Sequence, residues 1–287
     1  MSVVVIGASG QLARHLQEQL PKAMFLGRSA LDLATSNSIQ PAIAAQSPSI
    51  IINAAAYTGV DDAEQSSESA WRINAEAPAM LARVAERHAL PLIHVSTDYV
   101  FDGQARTDYQ PNDAVNPLSI YGRSKLAGEL AIRSLCTRYW ILRTSWVFSA
   151  FGNNFVRTML RVGADRDVLQ IVSDQFGRPT YAGDLARVIA ALSSLRSADR
   201  PPPGIYHAVG GPAVSWYAFA EAIFERAVAD GILSRPPELT PIPTAVYPTP
   251  APRPLRAVLA PSRDLLQATG TSMDWEAGLR QTVARLV

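Results

Sequence analysis

The chain has 287 residues, 48% of them hydrophobic, and a formal net charge of +1 from 26 Lys and Arg against 25 Asp and Glu. That is enough apolar material for one large domain with a smaller lobe, and a near-neutral balance without a long basic run argues against nucleic-acid or polybasic membrane binding. Cys136 is the single cysteine, so no intrachain disulfide forms; no apolar run approaches the ~20 residues that span a bilayer, and an apolar strand directly after Met1 and Ser2 leaves no leader, so the expectation is a soluble cytoplasmic protein.

The first half alternates short apolar runs with helical stretches. Val3–Ile6 predicts a strand, Gln11–Leu20 a helix and Met24–Leu26 a second strand. A helix over Ser38–Gln46 leads to the buried strand Ile50–Ile52. Glu68–His88 has helical period, Leu92–Val95 is the next strand, and a helix from Ser119 or Tyr121 to Leu135 precedes the strand Trp140–Arg143. Strands each followed by a helix predict right-handed crossovers and a parallel sheet. Beyond Trp146 the alternation weakens. Helices are predicted at Asn154–Val162, Asp184–Leu195 and Trp216–Asp230, with extended segments at Leu169–Val172 and Gly204–Val209. The proline-rich stretch Arg235–Pro261 admits two readings, a polyproline linker or an ordered extended cover over a cleft. Its interspersed Leu239, Ile242, Val246, Tyr247 and Leu255 favour the cover.

The fold class expected is therefore α/β, a Rossmann-type doubly wound parallel sheet with a smaller, mostly C-terminal substrate-binding lobe. Residues 1–150 are expected to form the dinucleotide-binding domain, which 180–210 rejoin, and 151–287 mainly the lobe.

Gly7-Ala8-Ser9-Gly10-Gln11-Leu12-Ala13 follows a strand and opens a helix. Gly7 permits the tight turn, Gly10 lets backbone approach a pyrophosphate, and small Ala13 allows close helix–sheet packing. Free amides at the helix start then face phosphates. An acid at the end of the second strand usually selects NAD through the ribose hydroxyl. Here Leu26-Gly27-Arg28-Ser29 stands instead, and Arg28 suits a 2′-phosphate. NADPH is the expected cofactor, with Asp32 leaving NADH open.

Tyr121 and Lys125 are four apart and share a helix face. A tyrosine with a pKa of ~10 exchanges protons poorly at neutral pH, and a neighbouring ammonium lowers that value. Tyr121 then serves as general acid. Ser96-Thr97-Asp98 lies at the C-terminal end of a strand, where open α/β sheets place ligands. A hydroxyl from Thr97 or Ser96 there can bond a substrate oxygen.

Together these blocks make the chain resemble the extended short-chain dehydrogenases, and within them the dTDP-4-dehydrorhamnose reductase family. The matching blocks are GASGQLA from Gly7, INAAAYTGVDDAE from Ile52, STDYVFDG from Ser96, YGRSKLAGE from Tyr121 and LRTSWVF from Leu142. They continue with NNFVRTML from Asn153, DQFGRPT from Asp174, GIYH from Gly204, SWYAFA from Ser215 and YPTPAPRP from Tyr247. The resemblance implies Gly10, Gln11 and Leu12 at the pyrophosphate, Asp32 and Leu33 beside the adenine, and Ala55, Ala56 and Thr58 further along the cofactor. It implies Thr97, Asp98 and Trp146 at the sugar, Tyr121 and Lys125 in proton transfer, and Arg253 either at the substrate diphosphate or in a surface salt bridge. The implied reaction is reduction of the C4 keto group of a dTDP-linked 4-keto-6-deoxy sugar to dTDP-L-rhamnose.

Two departures limit the carry-over. Leu255, Arg256 and Ala257 replace the usual residues after Pro254. His15 stands where relatives carry an acid used in a magnesium-bridged dimer, so no metal ligands are assigned, and magnesium and a homodimer stay open. Rival readings are a reductase or epimerase of another nucleotide 4-keto-6-deoxy sugar and a non-catalytic NADP-binding regulatory subunit of S-adenosylmethionine synthetase. A dehydratase is disfavoured because Tyr99, not glutamate, follows Asp98.

Overall fold

The computed structural model describes residues 2–286. In chain order the first part comprises β1 (Val3–Ile6), α1 (Gln11–Gln19), β2 (Met24–Leu26), α2 (Ser36–Ala44), β3 (Ile50–Asn53), α3 (Asp62–Gln65) and α4 (Ser67–Trp71). A π-helical turn (Arg72–Glu76), α5 (Ala77–Arg87), β4 (Leu92–Thr97), a 3-10 turn (Asp98–Val100), α6 (Ile120–Leu135) and β5 (Tyr139–Thr144) follow. The second part comprises β6 (Val147–Phe148), α7 (Phe155–Asp165), β7 (Val168–Val172), β8 (Phe176–Gly177), β9 (Thr180–Tyr181), α8 (Ala182–Ser194) and β10 (Gly204–His207). It ends with β11 (Val214–Ser215), α9 (Trp216–Ala229), β12 (Glu238–Ile242), a 3-10 turn (Thr244–Val246), α10 (Arg263–Thr269) and α11 (Trp275–Ala284).

Six strands form one parallel sheet in the order β10-β5-β4-β3-β1-β2. The order reverses between β1 and β3, and such a switch point opens a crevice beyond the strands' carboxyl ends. The central strands are buried on both faces because they carry nearly continuous apolar runs rather than alternating ones. Val3, Val5, Ile50, Ile52, Ile93 and Leu142 face a core shared with α1 and α8. Val4, Ile6, Ile51, Leu92 and Ile141 face the opposite core, shared with α2, α5 and α6. Gly204–His207 pairs with β5 at the sheet edge, Gly204 opposite Trp140 and His207 opposite Arg143.

A separate core gathers Phe148, Val156, Leu160, Phe219, Phe224 and Trp275 from α7, α9, α11 and the short strands around them. The proline-rich stretch enters this part as β12, which pairs with β7, stays with it through a bridge of Arg256 with Phe176, and then crosses to the first part through a bridge of Leu259 with Tyr109. The helix expected over Glu68–His88 is interrupted at Arg72–Glu76, where the winding loosens to a π turn. The turn carries Asn74, whose amide bonds both the N–H and the carbonyl of Tyr57 and the hydroxyl of Ser124. Pro41 lies inside α2. Among the described residues no helix is long and apolar enough to cross a membrane.

Candidate active site

The carboxyl ends of the central strands open into a cleft of about 940 Å³, and every residue predicted for the site lies on its wall except Arg253. At one end the chain leaves β1 through Gly7, whose φ of +105° disfavours a side chain; a Cβ there would press within 3.4 Å of the Ala55 backbone nitrogen. Gly10 then opens α1 without a side-chain cap, and a Cβ at Gly10 would meet nothing within 4 Å. Open space over uncapped helix amides fits a pyrophosphate. Leu12 and Leu33 supply apolar wall nearby, and Ala55, Ala56 and Thr58 continue it from the end of β3.

Gln11 is turned toward the second part of the molecule. Its carboxamide oxygen accepts from Ser149 Oγ at 3.1 Å and from Asn154 Nδ2 at 3.0 Å, and its nitrogen donates to the Val147 carbonyl. Arg28 stands 85% exposed at the mouth, 3.9 Å from the Asp32 carboxylate. Asp32 also accepts the Ala34 N–H.

Tyr121 sits near the start of α6, buried, with its ring edge-on to Tyr99 at a centroid distance of 5.4 Å. Burial pushes its hydroxyl above the ordinary tyrosine value, Thr97 opposes that rise, and the Asp98 and Tyr99 charges add to it. Asp98 is raised by burial to about 7, with the Thr97 hydroxyl and backbone N–H groups pulling the other way. Thr97 Oγ1 donates to Asp98 Oδ1 at 3.0 Å and accepts the Tyr99 N–H at 3.2 Å.

The expectation that Lys125 lowers Tyr121 needs correction for the arrangement seen. Lys125 Nζ donates to the Val95 carbonyl at 2.6 Å and lies 3.3 Å from His94 Nε2. Burial pulls its ammonium down to about 8, with Glu129 opposing. The lysine points at the strand beneath the cleft because the nearest strong acceptor is a β4 carbonyl that the helix faces.

At the start of the second part Trp146 adopts a φ of +49° and stacks on Trp216 at 3.5 Å with 6° between the planes. Gly177 makes room for that indole, since a Cβ there would fall 2.4 Å from the ring. Arg253 binds Asp61 Oδ2 at 2.6 Å and donates to the Tyr99 hydroxyl at 3.2 Å. The salt bridge weighed from the sequence is thus present, and it joins the cover to the loop after β3.

Sequence reasoning passed over Asn53, His94, Glu64 and Asp61. Asn53 and His94 are polar residues set in otherwise apolar strand runs, which is the signal that marks them. Among the described residues no three His, Cys, Asp or Glu side chains gather as a metal site. His15 is buried beside Glu18, which Arg285 holds through two bonds.

A doubly wound parallel sheet, a glycine loop feeding an uncapped helix, and a tyrosine and lysine beside a strand-end threonine define a dinucleotide-dependent oxidoreductase of the extended short-chain dehydrogenase class. The family model described as RmlD substrate binding domain matches residues 1–287. The dTDP-4-dehydrorhamnose reductase of Aggregatibacter actinomycetemcomitans is 42% identical over 285 residues, covering 97% of each chain. The crystal structure of a dTDP-4-dehydrorhamnose reductase from Clostridium acetobutylicum superimposes with a TM-score of 0.90 at 34% identity, covering 100% of this chain and 99% of that one. That of the Bacillus anthracis dTDP-4-dehydrorhamnose reductase in complex with NADP does so with a TM-score of 0.89 at 34% identity, covering 99% of each. The chain belongs to the dTDP-4-dehydrorhamnose reductase family.

Proposed function

We propose that this chain reduces the C4 keto group of dTDP-4-dehydro-L-rhamnose to dTDP-L-rhamnose with NADPH. The observation that carries the reading is the meeting of Tyr121, Thr97 and the glycine loop on the wall of one cleft. Residues 1–150 with 180–210 hold the cofactor, and the remainder mainly holds the sugar nucleotide.

A bound nicotinamide supplies the hydride. Tyr121 delivers its phenolic proton to the oxygen that develops charge at C4, a transfer that runs downhill because an alkoxide is a stronger base than a phenolate. Thr97 donates a hydrogen bond to the same oxygen, exchanging its present partner Asp98 Oδ1. Asp98 meets sugar hydroxyls. Lys125 holds the nicotinamide ribose and, as an ammonium turned from Val95 toward Tyr121, favours the phenolate that proton delivery leaves behind. Trp146, backed by Trp216, offers a flat apolar face to the sugar ring. Arg253 meets the diphosphate.

The NADPH preference rests on Arg28 at the mouth with no acid nearer than Asp32 in that loop. Arg28→Ala is expected to weaken NADPH more than NADH in binding titrations; equal losses would remove the 2′-phosphate role. The reaction itself is tested by generating the 4-keto sugar in situ with an epimerase and following NADPH consumption. Rapid substrate-dependent oxidation that yields dTDP-L-rhamnose supports the reading. Confirmed cofactor binding without oxidation overturns it and shifts weight to another keto sugar or to a regulatory subunit.

A further inference from the structure

Beneath the cleft floor three polar side chains form a closed line in an apolar setting. Asn53 ends β3, His94 lies on β4 and Lys125 on α6, and they are 0%, 1% and 1% exposed. Asn53 Nδ2 lies 3.0 Å from His94 Nδ1, and His94 Nε2 lies 3.3 Å from Lys125 Nζ.

The hydrogens on this line can be placed by elimination. The Ala55 backbone N–H can only donate, and it does so to Asn53 Oδ1 at 3.2 Å. That fixes the carboxamide, so its nitrogen faces His94 and His94 Nδ1 must accept. Burial holds the ring well below the ordinary histidine value, so it is neutral. A neutral ring whose Nδ1 accepts carries its hydrogen on Nε2. That hydrogen points at Lys125 Nζ. An ammonium has no lone pair to receive it, whereas an amine has one and can still donate to the Val95 carbonyl.

We infer that Asn53 and His94 form a relay that accepts Lys125 against β4 only as a neutral amine, which makes His94 a positioning residue for the catalytic lysine. Protonation of Lys125 turns the His94 contact from a bond into an opposition of two N–H groups. The ammonium is thereby expelled toward the cleft, where Tyr121 lies and a cofactor ribose would sit. The relay therefore couples the charge of Lys125 to its position.

The other charged and titratable groups around Lys125 leave this control in place. On α6 itself Tyr121 and Glu129 lie one turn to either side, and Glu129 is held by the Arg143 guanidinium of β5 at 2.6 Å. Asp98 and Tyr99 enter the same cleft after β4. Glu129 favours the ammonium, but its charge is largely spent on Arg143. An unmatched buried donor pair costs about twice what a satisfied bond gains, so the contact with His94 dominates.

The inference rests on the proposed reductase activity for its kinetic test only. His94→Gln offers an acceptor to Lys125, and Asn53→Asp draws the ring hydrogen to Nδ1 and leaves Nε2 to accept. Both are expected to favour the ammonium and to move the alkaline limb of the kcat/KM profile up by about one pH unit. A limb that stays in place in both variants overturns the relay. Nitrogen-15 spectra of histidine-labelled full-length chain, with His94 assigned by its loss in His94→Gln, are expected to show the Nε2–H tautomer in the wild type and the Nδ1–H tautomer in Asn53→Asp. An Nδ1–H tautomer in the wild type overturns it as well. The spectrum needs no turnover, so a chain inactive on the keto sugar overturns the functional reading while the tautomer alone decides the relay.

Discussion

Tyr121 and Asp98 share one buried corner, and burial acts on both in the same direction because each loses water around its anion. For Tyr121 the effect keeps a proton in place until a better acceptor, a developing alkoxide, arrives. Tyr121→Phe removes that proton and little else, since the ring still packs edge-on to Tyr99. The variant is expected to bind cofactor normally and to lose roughly 10²- to 10⁴-fold in turnover; unchanged turnover in the coupled assay would take Tyr121 out of the mechanism. For Asp98 the same physics becomes a stability cost. Its folded value of about 7 lies above the ordinary 3.8, so the unfolded chain releases this proton first as pH rises. Stability is unaffected below the lower value, falls between the two, and levels off above the higher one. The gap between 3.8 and about 7 corresponds to ~4 kcal/mol once both states are ionised. Asp98→Asn should therefore raise the Tm above neutrality and match the wild type below pH ~4. Equal Tm values at both extremes would show that the carboxyl is solvated.

At the scale of elements, α6 is held at more points than its apolar stripe requires. Ser119 caps it by accepting the Gly122 N–H at 3.1 Å, and Glu64 of α3 reaches across to accept the Ile120 N–H at 2.8 Å. Both satisfy amides that a helix start leaves open. Two glycines then let backbone approach: a Cβ at Gly122 would fall 2.2 Å from the Tyr99 carbonyl oxygen, and one at Gly128 would fall 2.1 Å from that of Asn74. Alanine normally improves a helix interior by up to ~1 kcal/mol over glycine, but a rigid carbonyl cannot step aside. Gly128→Ala is expected to destabilise by ~1–3 kcal/mol in denaturant melts, and a gain in stability would show that the helix can shift. This element also marks how far the sequence could be read. The start of α6, its end at Leu135 and the tyrosine–lysine face were visible because helix period and capping are local signals. The π turn that delivers Asn74 was not, since the bonds that stabilise it come from Tyr57 and Ser124. Nor were β8, β9 and β11, two-residue strands whose partners lie far along the chain. His94 and Asn53 were legible only as polar interruptions; their roles needed the register that sets β3 beside β4.

At the scale of the whole molecule, two of the polar links between the first part and the second bear on the cleft and its cover. One is Gln11, bonded to Val147, Ser149 and Asn154. The other is the pair of Asp61 with Arg253, reinforced by the Ala251 N–H donating to Asp61 Oδ1 at 3.1 Å. The second link joins residues 192 apart in sequence and holds the proline-rich cover against the loop that follows β3. Arg253 therefore has a structural partner already, and a diphosphate would have to share a guanidinium that offers five donors in a fixed fork. Sharing is geometrically reasonable because Asp61 takes Nη2 alone, and Nη1 spends its bond on a neutral hydroxyl that an anion readily outcompetes. Arg253→Ala removes both functions, and Arg253→Lys keeps a charge without the fork. If Arg253 meets the diphosphate, each variant should raise the sugar-nucleotide KM by about tenfold or more, the loss of one charge-assisted bond, with NADPH affinity unchanged. If it only pins the cover, the KM should hold while amide exchange quickens around Ala251 in both variants. Measuring KM and exchange on the same two proteins separates a substrate contact from a clasp.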